Sequence, residues 1–128
     1  MVEPIIRGKI GIIVDDICTN TNVNPVGWAL FDTEGLPLYS KFEKNEAEFG
    51  AMAAIILSIY KRVPQIGGSC YYLPDMDLFL HRLIIREYFF IFILAIEKNI
   101  RNHGLVALQI QQNEQRIISI LNNKLIGI

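Results

Sequence analysis

The stretch Trp28–Arg62 decides the fold; it reads WALFDTEGLPLYSKFEKNEAEFGAMAAIILSIYKR. Its first part predicts a β-hairpin, because two short apolar runs, Trp28–Phe31 and Leu36–Ser40, flank the sequence Asp-Thr-Glu-Gly. Asp32 suits the first position of a type I turn, where its side chain accepts hydrogen bonds from backbone N–H groups ahead of it. Gly35 suits the last position, where φ is positive and a Cβ would clash. We therefore expect Asp32 and Gly35 to be structural turn residues.

The second part of the stretch predicts a helix over Glu46–Arg62, which is rich in Ala, Ile, Leu and Met. Its small residues are spaced three and four apart and so share one face; they are Ala47, Gly50, Ala51 and Ala54. A strip of Ala and Gly lets another backbone approach closely. The strip therefore has two interpretations: it packs against the protein's own sheet, or against the same helix of a second copy.

Together, the hairpin and the helix resemble the Roadblock family of dynein light chains and GTPase regulators. The strand pattern is G-x-A-L-x-D-x-x-G-L-P-L-x-S, followed by an Ala-rich helix. The matching residues are Gly27, Ala29, Leu30, Asp32, Gly35, Leu36, Pro37, Leu38, Ser40 and the run Ala51, Met52, Ala53 and Ala54. The order of the remaining elements also fits, so the resemblance covers nearly the whole chain. It implies a homodimer, or a heterodimer with a related domain, that serves as a platform for a small Ras-like GTPase or a larger assembly.

The whole chain predicts a single domain, 1–128, with the order helix, two strands, helix, three strands, helix. Besides the elements above, we expect a first helix over Val2–Cys18, strands over Ser69–Leu73, Leu78–Ile85 and Tyr88–Ile96, and a final helix from Asn102 or His103. The predicted fold class is α+β in α/β/α layers, with a five-stranded antiparallel sheet that has helices on both faces.

Alternation along strands and helical spacing predict which side chains face the core. In the first strand we expect Val26, Trp28 and Leu30 on one face and Gly27, Ala29 and Phe31 on the other. The predicted apolar stripes of the outer helices are Val2, Ile5, Ile6, Ile10, Ile13 and Ile17 in the first and Leu105, Leu108, Ile117, Ile120 and Leu121 in the last.

Three features predict the positions of strands in the sheet. Pro37 cannot donate a ladder hydrogen bond, so its strand belongs at an edge. Tyr88–Ile96 has no polar side-chain group except the Tyr88 hydroxyl, which is typical of a central strand covered on both faces. Ser69–Leu73 contains no proline and no charge, so it is predicted to be an open edge that recruits another strand.

The composition favours self-association and argues against several classes of protein. The 12 basic and 13 acidic residues leave no basic surplus for nucleic acid. The longest uncharged apolar run is too short to span a membrane, and Glu3, Arg7 and Lys9 interrupt the N-terminal apolar stretch, so no signal peptide is expected. Hydrophobic residues make up 52% of the 128 residues, more than one domain of this size hides. We therefore expect a cytoplasmic protein, without nucleic acid or direct membrane insertion, that covers its excess apolar surface in a dimer.

No group of residues predicts catalysis, a cofactor or a metal site. Asp15 and Asp16 are adjacent, so they diverge on a helix and favour a solvated face. His81 and His103 have no carboxylate or thiol at ligand spacing and are interpreted as structural. Cys70 has no evident base to activate its thiol, and we expect it to be reduced.

The leading hypothesis is a non-enzymatic interaction module of the Roadblock type. Its predicted dimer interface combines the small-residue strip of the Glu46–Arg62 helix with the edge-strand residues Ser69, Cys70, Tyr71, Tyr72 and Leu73. The alternatives are a longin- or profilin-like trafficking or cytoskeletal adaptor and a small-ligand sensor. The additional first helix argues against the adaptor, and no polar residues stand out that would line the apolar cavity of a sensor.

Overall fold

The computed structural model describes residues 3–32, 36–42, 68–98 and 101–126. The elements within these ranges are α1 (Glu3–Thr21), β1 (Pro25–Phe31), β2 (Pro37–Phe42), β3 (Gly68–Tyr72), β4 (Asp77–Ile85), β5 (Tyr88–Ile96), α2 (His103–Gln112) and α3 (Glu114–Ile126). The predicted helix Glu46–Arg62 and the turn residue Gly35 lie outside the described residues.

The five strands form one antiparallel sheet in the order β2–β1–β5–β4–β3. This confirms the predicted α+β class and the five-stranded antiparallel sheet. β5 lies at the centre, and its residues from Ile91 to Ile96 are at most 1% exposed, which explains why the strand is apolar on both faces. Pro37 begins the edge strand β2, and β3 is the opposite edge, both as predicted.

Each face of the sheet carries its own apolar core. We call the face that packs against α1, α2 and α3 the first face; its strands contribute Trp28, Leu30, Phe92 and Leu94. The second face is formed by Val26, Ala29, Phe31, Met76, Leu78, Leu80, Ile91, Ile93 and Ala95. The prediction of helices on both faces is therefore confirmed for the first face and stays a prediction for the second.

One predicted side-chain direction in β1 is wrong. Val26 lies in the core of the second face, not beside Trp28 and Leu30. Between Pro25 and Gly27 the pairing with β5 shifts, so that two steps along β1 match one step along β5. This irregularity leaves Val26 as an extra residue and reverses the alternation at that point.

The predicted final helix is divided into α2 and α3 at Asn113. The Asn113 side chain donates to the carbonyl of Gln109 at 2.8 Å, and the Asn113 carbonyl accepts from the backbone N–H groups of Arg116 and Ile117. One residue thus ends α2 and begins α3. Its backbone N–H still donates to the Gln109 carbonyl at 3.0 Å, so the Asn113 side chain is a second donor to that oxygen.

The buried side of α2 also differs from the prediction. Leu105 and Leu108 are 54% and 46% exposed, whereas Val106 and Ile110 are buried. His103 turns its side chain toward the sheet at the start of α2. Residues three and seven positions later then face the sheet as well, and these are Val106 and Ile110. In α3, Ile117 and Leu121 are buried and Ile120 packs partly against the core, as predicted.

The first helix is longer than predicted and ends in a left-handed residue. α1 continues through Thr21, and Asn22 has a φ of 56°, where the Val23 N–H returns to the Cys18 carbonyl at 3.0 Å. Of its predicted stripe, Ile5 is 59% exposed, Val2 lies outside the described residues, and the others are buried. No helix in the described ranges is both long enough and apolar enough to cross a membrane.

Candidate functional site

A buried carboxylate lies at one end of the sheet, where three strands meet. Asp77 is the first residue of β4, and it is paired with Tyr72 at the end of β3 and with Ile96 at the end of β5. Its exposed fraction is only 1%. An ionised carboxylate at this depth destabilises the fold unless opposite charges and hydrogen bonds compensate. The partners of Asp77 therefore decide what this site can do.

Two basic side chains bind the two oxygens of this carboxylate. Lys98 Nζ lies 2.8 Å from Asp77 Oδ1, and His103 Nε2 lies 2.6 Å from Asp77 Oδ2. Lys98 follows the end of β5, and His103 is the first residue of α2, so one carboxylate joins the sheet to the start of the helix. The Lys98 side chain is 44% exposed and that of His103 is 18% exposed. The site is therefore closed at Asp77 and open to solvent at Lys98.

Tyr72 connects this carboxylate to the edge of the sheet. Its ring meets the His103 ring edge-on at 5.0 Å between centroids, and Lys98 Nζ lies 5.6 Å from the Tyr72 centroid. Both arrangements are favourable for an aromatic ring. Tyr72 is nevertheless 64% exposed, because β3 is an edge strand. The ring is thus held in one orientation while much of its surface is uncovered.

Cys70 completes the group, which we call the Asp77 cluster: Cys70, Tyr72, Asp77, Lys98 and His103. Cys70 lies two residues before Tyr72 in β3, so the two side chains share one face of the sheet. Burial, with a smaller contribution from the charge of Asp77, raises the pKa of Cys70 to about 11. The interaction with Cys70 is in turn the main cause that raises the pKa of Tyr72. At neutral pH Cys70 is therefore a neutral thiol and a poor nucleophile.

Both histidines have carboxylate partners that the sequence did not reveal, and their interpretation as structural residues stays a prediction. His103 has a carboxylate partner, Asp77, although the two are separated by 26 residues. His81 Nε2 likewise lies 3.5 Å from Glu114 Oε1. No spacing motif could show either pair. The signal that points to Asp77 is an acidic residue at the start of an apolar strand, because such a residue is rarely buried without a partner.

The structure shows only part of the predicted dimer interface. Cys70 and Tyr72 lie on the first face with the Asp77 cluster, whereas Tyr71 and Leu73 pack against the core of the second face. The backbone of Ser69 belongs to β3. The helix residues Ala47, Gly50, Ala51 and Ala54 lie outside the described residues. The interface therefore stays a prediction.

The hairpin turn between β1 and β2 is described at its two ends. Asp32 Oδ1 accepts a hydrogen bond from the Leu36 N–H at 2.9 Å, and the Asp32 N–H donates to the Leu36 carbonyl at 2.9 Å. These two hydrogen bonds join the ends of the loop for which Asp32 and Gly35 are the predicted structural turn residues. The effect of replacing either residue stays a prediction.

The rest of the described chain offers little acid–base or metal chemistry. Asp16 forms an ion pair with Arg116 at 3.0 Å, and both side chains are about half exposed. Within the described ranges, no three His, Cys, Asp or Glu side chains come together as metal ligands would. The Asp77 cluster is therefore the group whose geometry calls for an explanation.

Comparison with known proteins bears on the fold. No protein-family model matches the sequence, and no curated protein matches it. Among solved structures, MglB from Myxococcus xanthus is similar with a TM-score of 0.61, at 15% identity over 90% of this chain and 96% of that one. An MglB with a tetrameric arrangement gives a TM-score of 0.66, at 12% identity over 92% and 91%. A Roadblock/LC7 domain from Streptomyces avermitilis gives 0.56, at 11% identity over 84% and 97%.

The chain has a Roadblock-type fold. The resemblance seen in the hairpin and helix residues is thus confirmed at the level of the fold, over most of the chain. At these sequence identities a Roadblock-type fold does not by itself fix a partner or an activity. The features that bear on function are the β3 edge, whose outer side pairs with no described strand, and the Asp77 cluster beside it.

Proposed function

We propose that this chain is a non-enzymatic regulatory scaffold that dimerises through β3 and binds a small Ras-like GTPase or a larger assembly. The observation that carries the proposal is a Roadblock-type fold in which no described strand pairs with the outer side of β3. A strand of this kind, with no proline and no charge, favours the addition of another strand.

Two further observations support assembly from more than one copy. Tyr72 is 64% exposed on the edge strand, and Leu36, Ile84 and Tyr88 are also more than half exposed. One of the similar structures is an MglB with a tetrameric arrangement, so assembly of a chain with this fold has a precedent. A dimer of this chain would bury part of its exposed apolar surface.

The Asp77 cluster supports a structural rather than a catalytic role. A catalytic acid, base or nucleophile must reach its substrate. Asp77 is 1% exposed and both of its oxygens have partners. The raised pKa of Cys70, about 11, keeps its thiol neutral at physiological pH. The cluster is thus suited to holding β3 and α2 in place.

The GTPase part of the proposal comes from the resemblance of the hairpin and helix residues to Roadblock GTPase regulators. Regulators of that type look like organisers of the partner's own catalytic loops. A chain that acts in this way needs no arginine finger of its own. The proposal therefore expects GTP chemistry only when the GTPase is present.

Two measurements test the proposal. Sedimentation velocity over a range of concentrations should show a dimer without any added small molecule. Small Ras-like GTPases from the same organism, each purified and loaded with GDP or a non-hydrolysable GTP analogue, should include one that binds in calorimetry with a preference for one nucleotide. The chain alone should not hydrolyse GTP.

The outcomes separate the alternatives. A monomer at all concentrations contradicts the scaffold, and GTP hydrolysis by the chain alone contradicts the non-enzymatic role. A stable dimer that binds none of the GTPases but binds a trafficking or cytoskeletal protein favours the longin- or profilin-like adaptor. A chain that dimerises only with a small molecule is a sensor.

A further inference from the structure

The β4–β5 hairpin ends in a turn whose backbone does not suit its sequence. Ile85 and Tyr88 are the closing pair, so the loop between the strands is Arg86-Glu87. The φ of Arg86 is 58°, whereas that of Glu87 is not positive. A positive φ at the first loop residue alone is the pattern of a type II′ turn, and that position ordinarily holds glycine. An arginine makes the turn less stable than a glycine would, because its Cβ crowds the backbone.

Contacts within the described residues do not explain this arginine. The Arg86 side chain is exposed, and it takes part in no ion pair or side-chain hydrogen bond of the part of the chain that the structure describes. Residues in strained backbone conformations persist where the surrounding structure or a binding function requires them. The described fold gives no reason for an arginine at this position, so a function of the side chain outside the molecule is the better explanation.

The turn lies at the tip of an anchored ribbon that extends beyond the neighbouring strands. β3 begins opposite His81, and β1 ends opposite Ile91. Among the described strands, residues 83–90 therefore pair only with each other. Ile85, next to the turn, is 3% exposed and belongs to the core of the first face. The ribbon is thus held against the body of the protein, and its tip is presented in one orientation, which lowers the entropy cost of binding.

Two exposed apolar side chains flank the turn, one on each face of the sheet. Ile85 faces the core of the first face, so its cross-strand partner Tyr88 stands on that face and Ile84 on the second. Ile84 is 58% exposed and Tyr88 is 56% exposed. Pairing through β3 does not cover them, because β3 lies opposite residues 77–81 of β4. The tip therefore presents an arginine and a tyrosine, two residue types that dominate the binding energy of protein interfaces.

We propose that this hairpin tip, residues 84–88, contacts the GTPase, and that Arg86 pairs there with a carboxylate of the partner. The inference rests on the proposed function, which supplies the GTPase. The planar guanidinium group matches a carboxylate through two parallel N–H···O hydrogen bonds. Ile84 and Tyr88 pack against apolar surface on the two sides of this ion pair. They exclude water from it, and the electrostatic attraction is stronger where water is excluded.

The charges at the hairpin tip favour a protein partner over a membrane. Residues 84–88 carry one positive charge, on Arg86, and one negative charge, on Glu87. Their sum leaves no attraction to an anionic lipid surface, which draws in segments with several basic residues. A single carboxylate of a protein, in contrast, meets Arg86 at short range while the exposed Glu87 stays in solvent.

Substitutions at Arg86 separate binding from folding. The probe is the GTPase that binds the wild-type chain in the calorimetric series. Arg86→Gly relieves the turn, so the midpoint of thermal unfolding should rise by about 3 °C. The same variant should bind the GTPase about thirtyfold more weakly, as expected for the loss of a dominant interface residue.

Two further variants are the matched controls. Arg86→Lys keeps the charge and the strained backbone, so it should unfold at the wild-type temperature. It should nevertheless bind about tenfold more weakly, because an ammonium group cannot form the two parallel hydrogen bonds. Glu87→Gln changes the charge at the neighbouring loop position and should leave both the unfolding midpoint and the affinity unchanged.

The outcomes distinguish this contact from the proposed function. If the GTPase binds the wild type and Arg86→Gly equally well, the contact is wrong and the proposed function stands. A lower unfolding midpoint for Arg86→Gly also overturns the contact, because the arginine would then serve the fold. Phosphatidylserine vesicles that bind the wild type but not Arg86→Gly, with equal GTPase affinities, would assign the tip to a membrane. If no GTPase binds the wild type, this contact and the GTPase part of the proposed function are both wrong.

Discussion

The two edge strands of the sheet, β2 and β3, offer different backbone groups to a further strand. The pair Ile85–Tyr88 closes a two-residue hairpin and is hydrogen-bonded, so even-numbered residues of β5 bond to β4 and odd-numbered residues bond to β1. Phe31 is paired with Ile91 and therefore bonds toward β5. The backbone groups of Pro37, the partner of Phe31 on β2, consequently point away from the sheet. At that position proline has no N–H to offer. On β3, the Leu73 N–H donates to the Met76 carbonyl, so the odd-numbered residues direct their backbone groups to β4. The backbone N–H groups of Gly68, Cys70 and Tyr72 therefore point outward, where each can donate a hydrogen bond. What closes an edge is therefore the placement of a proline at an outward position, where it removes a donor without removing a ladder bond.

The two edge strands also differ in charge and in the groups that pack against them. β2 carries the exposed charge of Lys41, and α1 packs against this strand. β3 carries no charged side chain. It is supported instead by the buried carboxylate of Asp77, through Tyr72. Among the described residues, one edge strand thus carries a proline and a charge and the other carries neither, and substitutions can test each edge separately.

The largest loss of stability is expected from a substitution of Asp77, whose cluster contacts the edge strand β3 through Tyr72. Asp77→Ala leaves Lys98 and His103 without their shared partner, and it should lower the free energy of unfolding by about 3 kcal/mol. Breaking a buried ion pair costs about 3–5 kcal/mol of unfolding free energy. The lower value is expected here, because the half-exposed Lys98 side chain can be hydrated when Asp77 is absent. Urea denaturation measures the change. Asp16→Ala is the matched control, because it removes an exposed ion pair with Arg116 and should cost less than about 1 kcal/mol. Equal costs for the two variants would show that the cluster does not support β3.

A pair of proline variants separates folding from association at β3. Ser69→Pro removes an N–H that points to β4 and should lower the free energy of unfolding by about 1–3 kcal/mol. Cys70→Pro removes an outward donor, so the chain should stay folded but sediment as a monomer. Denaturation and sedimentation velocity on both variants give the comparison. If Cys70→Pro costs more stability than Ser69→Pro, the assignment of outward and inward groups is wrong.

A glycine variant tests how tightly the closed edge is held. In Gly27→Ala the new Cβ would meet Phe42 Cδ1 at 2.4 Å and the Lys41 carbonyl oxygen at 2.8 Å, and this oxygen belongs to the backbone of β2. We expect a loss of about 1–2 kcal/mol in unfolding free energy. Gly8→Ala in α1 is the control, because its Cβ meets nothing within 4 Å; it should be neutral or stabilising by up to about 1 kcal/mol. A Gly27→Ala chain as stable as the wild type would mean that β2 shifts easily.

The smallest effect on stability is expected from opening the closed edge. Pro37→Thr restores an outward N–H on β2 without adding a ladder bond, so the unfolding free energy should change by less than about 0.5 kcal/mol. The effect should appear as species larger than the wild-type assembly at high concentration, since both edges can then pair. Light scattering across a concentration series detects them. Sedimentation identical to that of the wild type would assign the closure to Lys41 and α1 instead.

The parts of the fold that were predictable are those that a local pattern encodes. Tyr88–Ile96 is apolar at successive positions, and such a strand has one place in a covered sheet, its centre. Pro37 likewise predicts an edge strand from a single residue, because proline cannot donate a ladder hydrogen bond. The direction of Val26 was not predictable, because the irregularity that turns it depends on pairing with a strand far along the chain.

The candidate site was hidden from the sequence for a different reason. Asp77 and His103 are separated by 26 residues and form no motif, and the strand was predicted to start one residue later, at Leu78. The buried face of α2 was mispredicted because contacts at its start orient it: Asn102 Nδ2 donates to the Thr21 carbonyl at 2.6 Å, and His103 binds Asp77. The outward groups of β3, in contrast, follow from turn lengths once the pairing is known.

The Asp77 carboxylate also constrains the order of events during folding. In the unfolded chain it is hydrated and its charge costs nothing. In the folded chain it is closed off by strands and a helix that come from positions 72, 96, 98 and 103. A partly assembled sheet that buried Asp77 before Lys98 and His103 arrived would carry an uncompensated charge, which disfavours that intermediate. The cluster thereby penalises compact misfolded arrangements of α2 and makes its docking on the sheet cooperative with strand pairing.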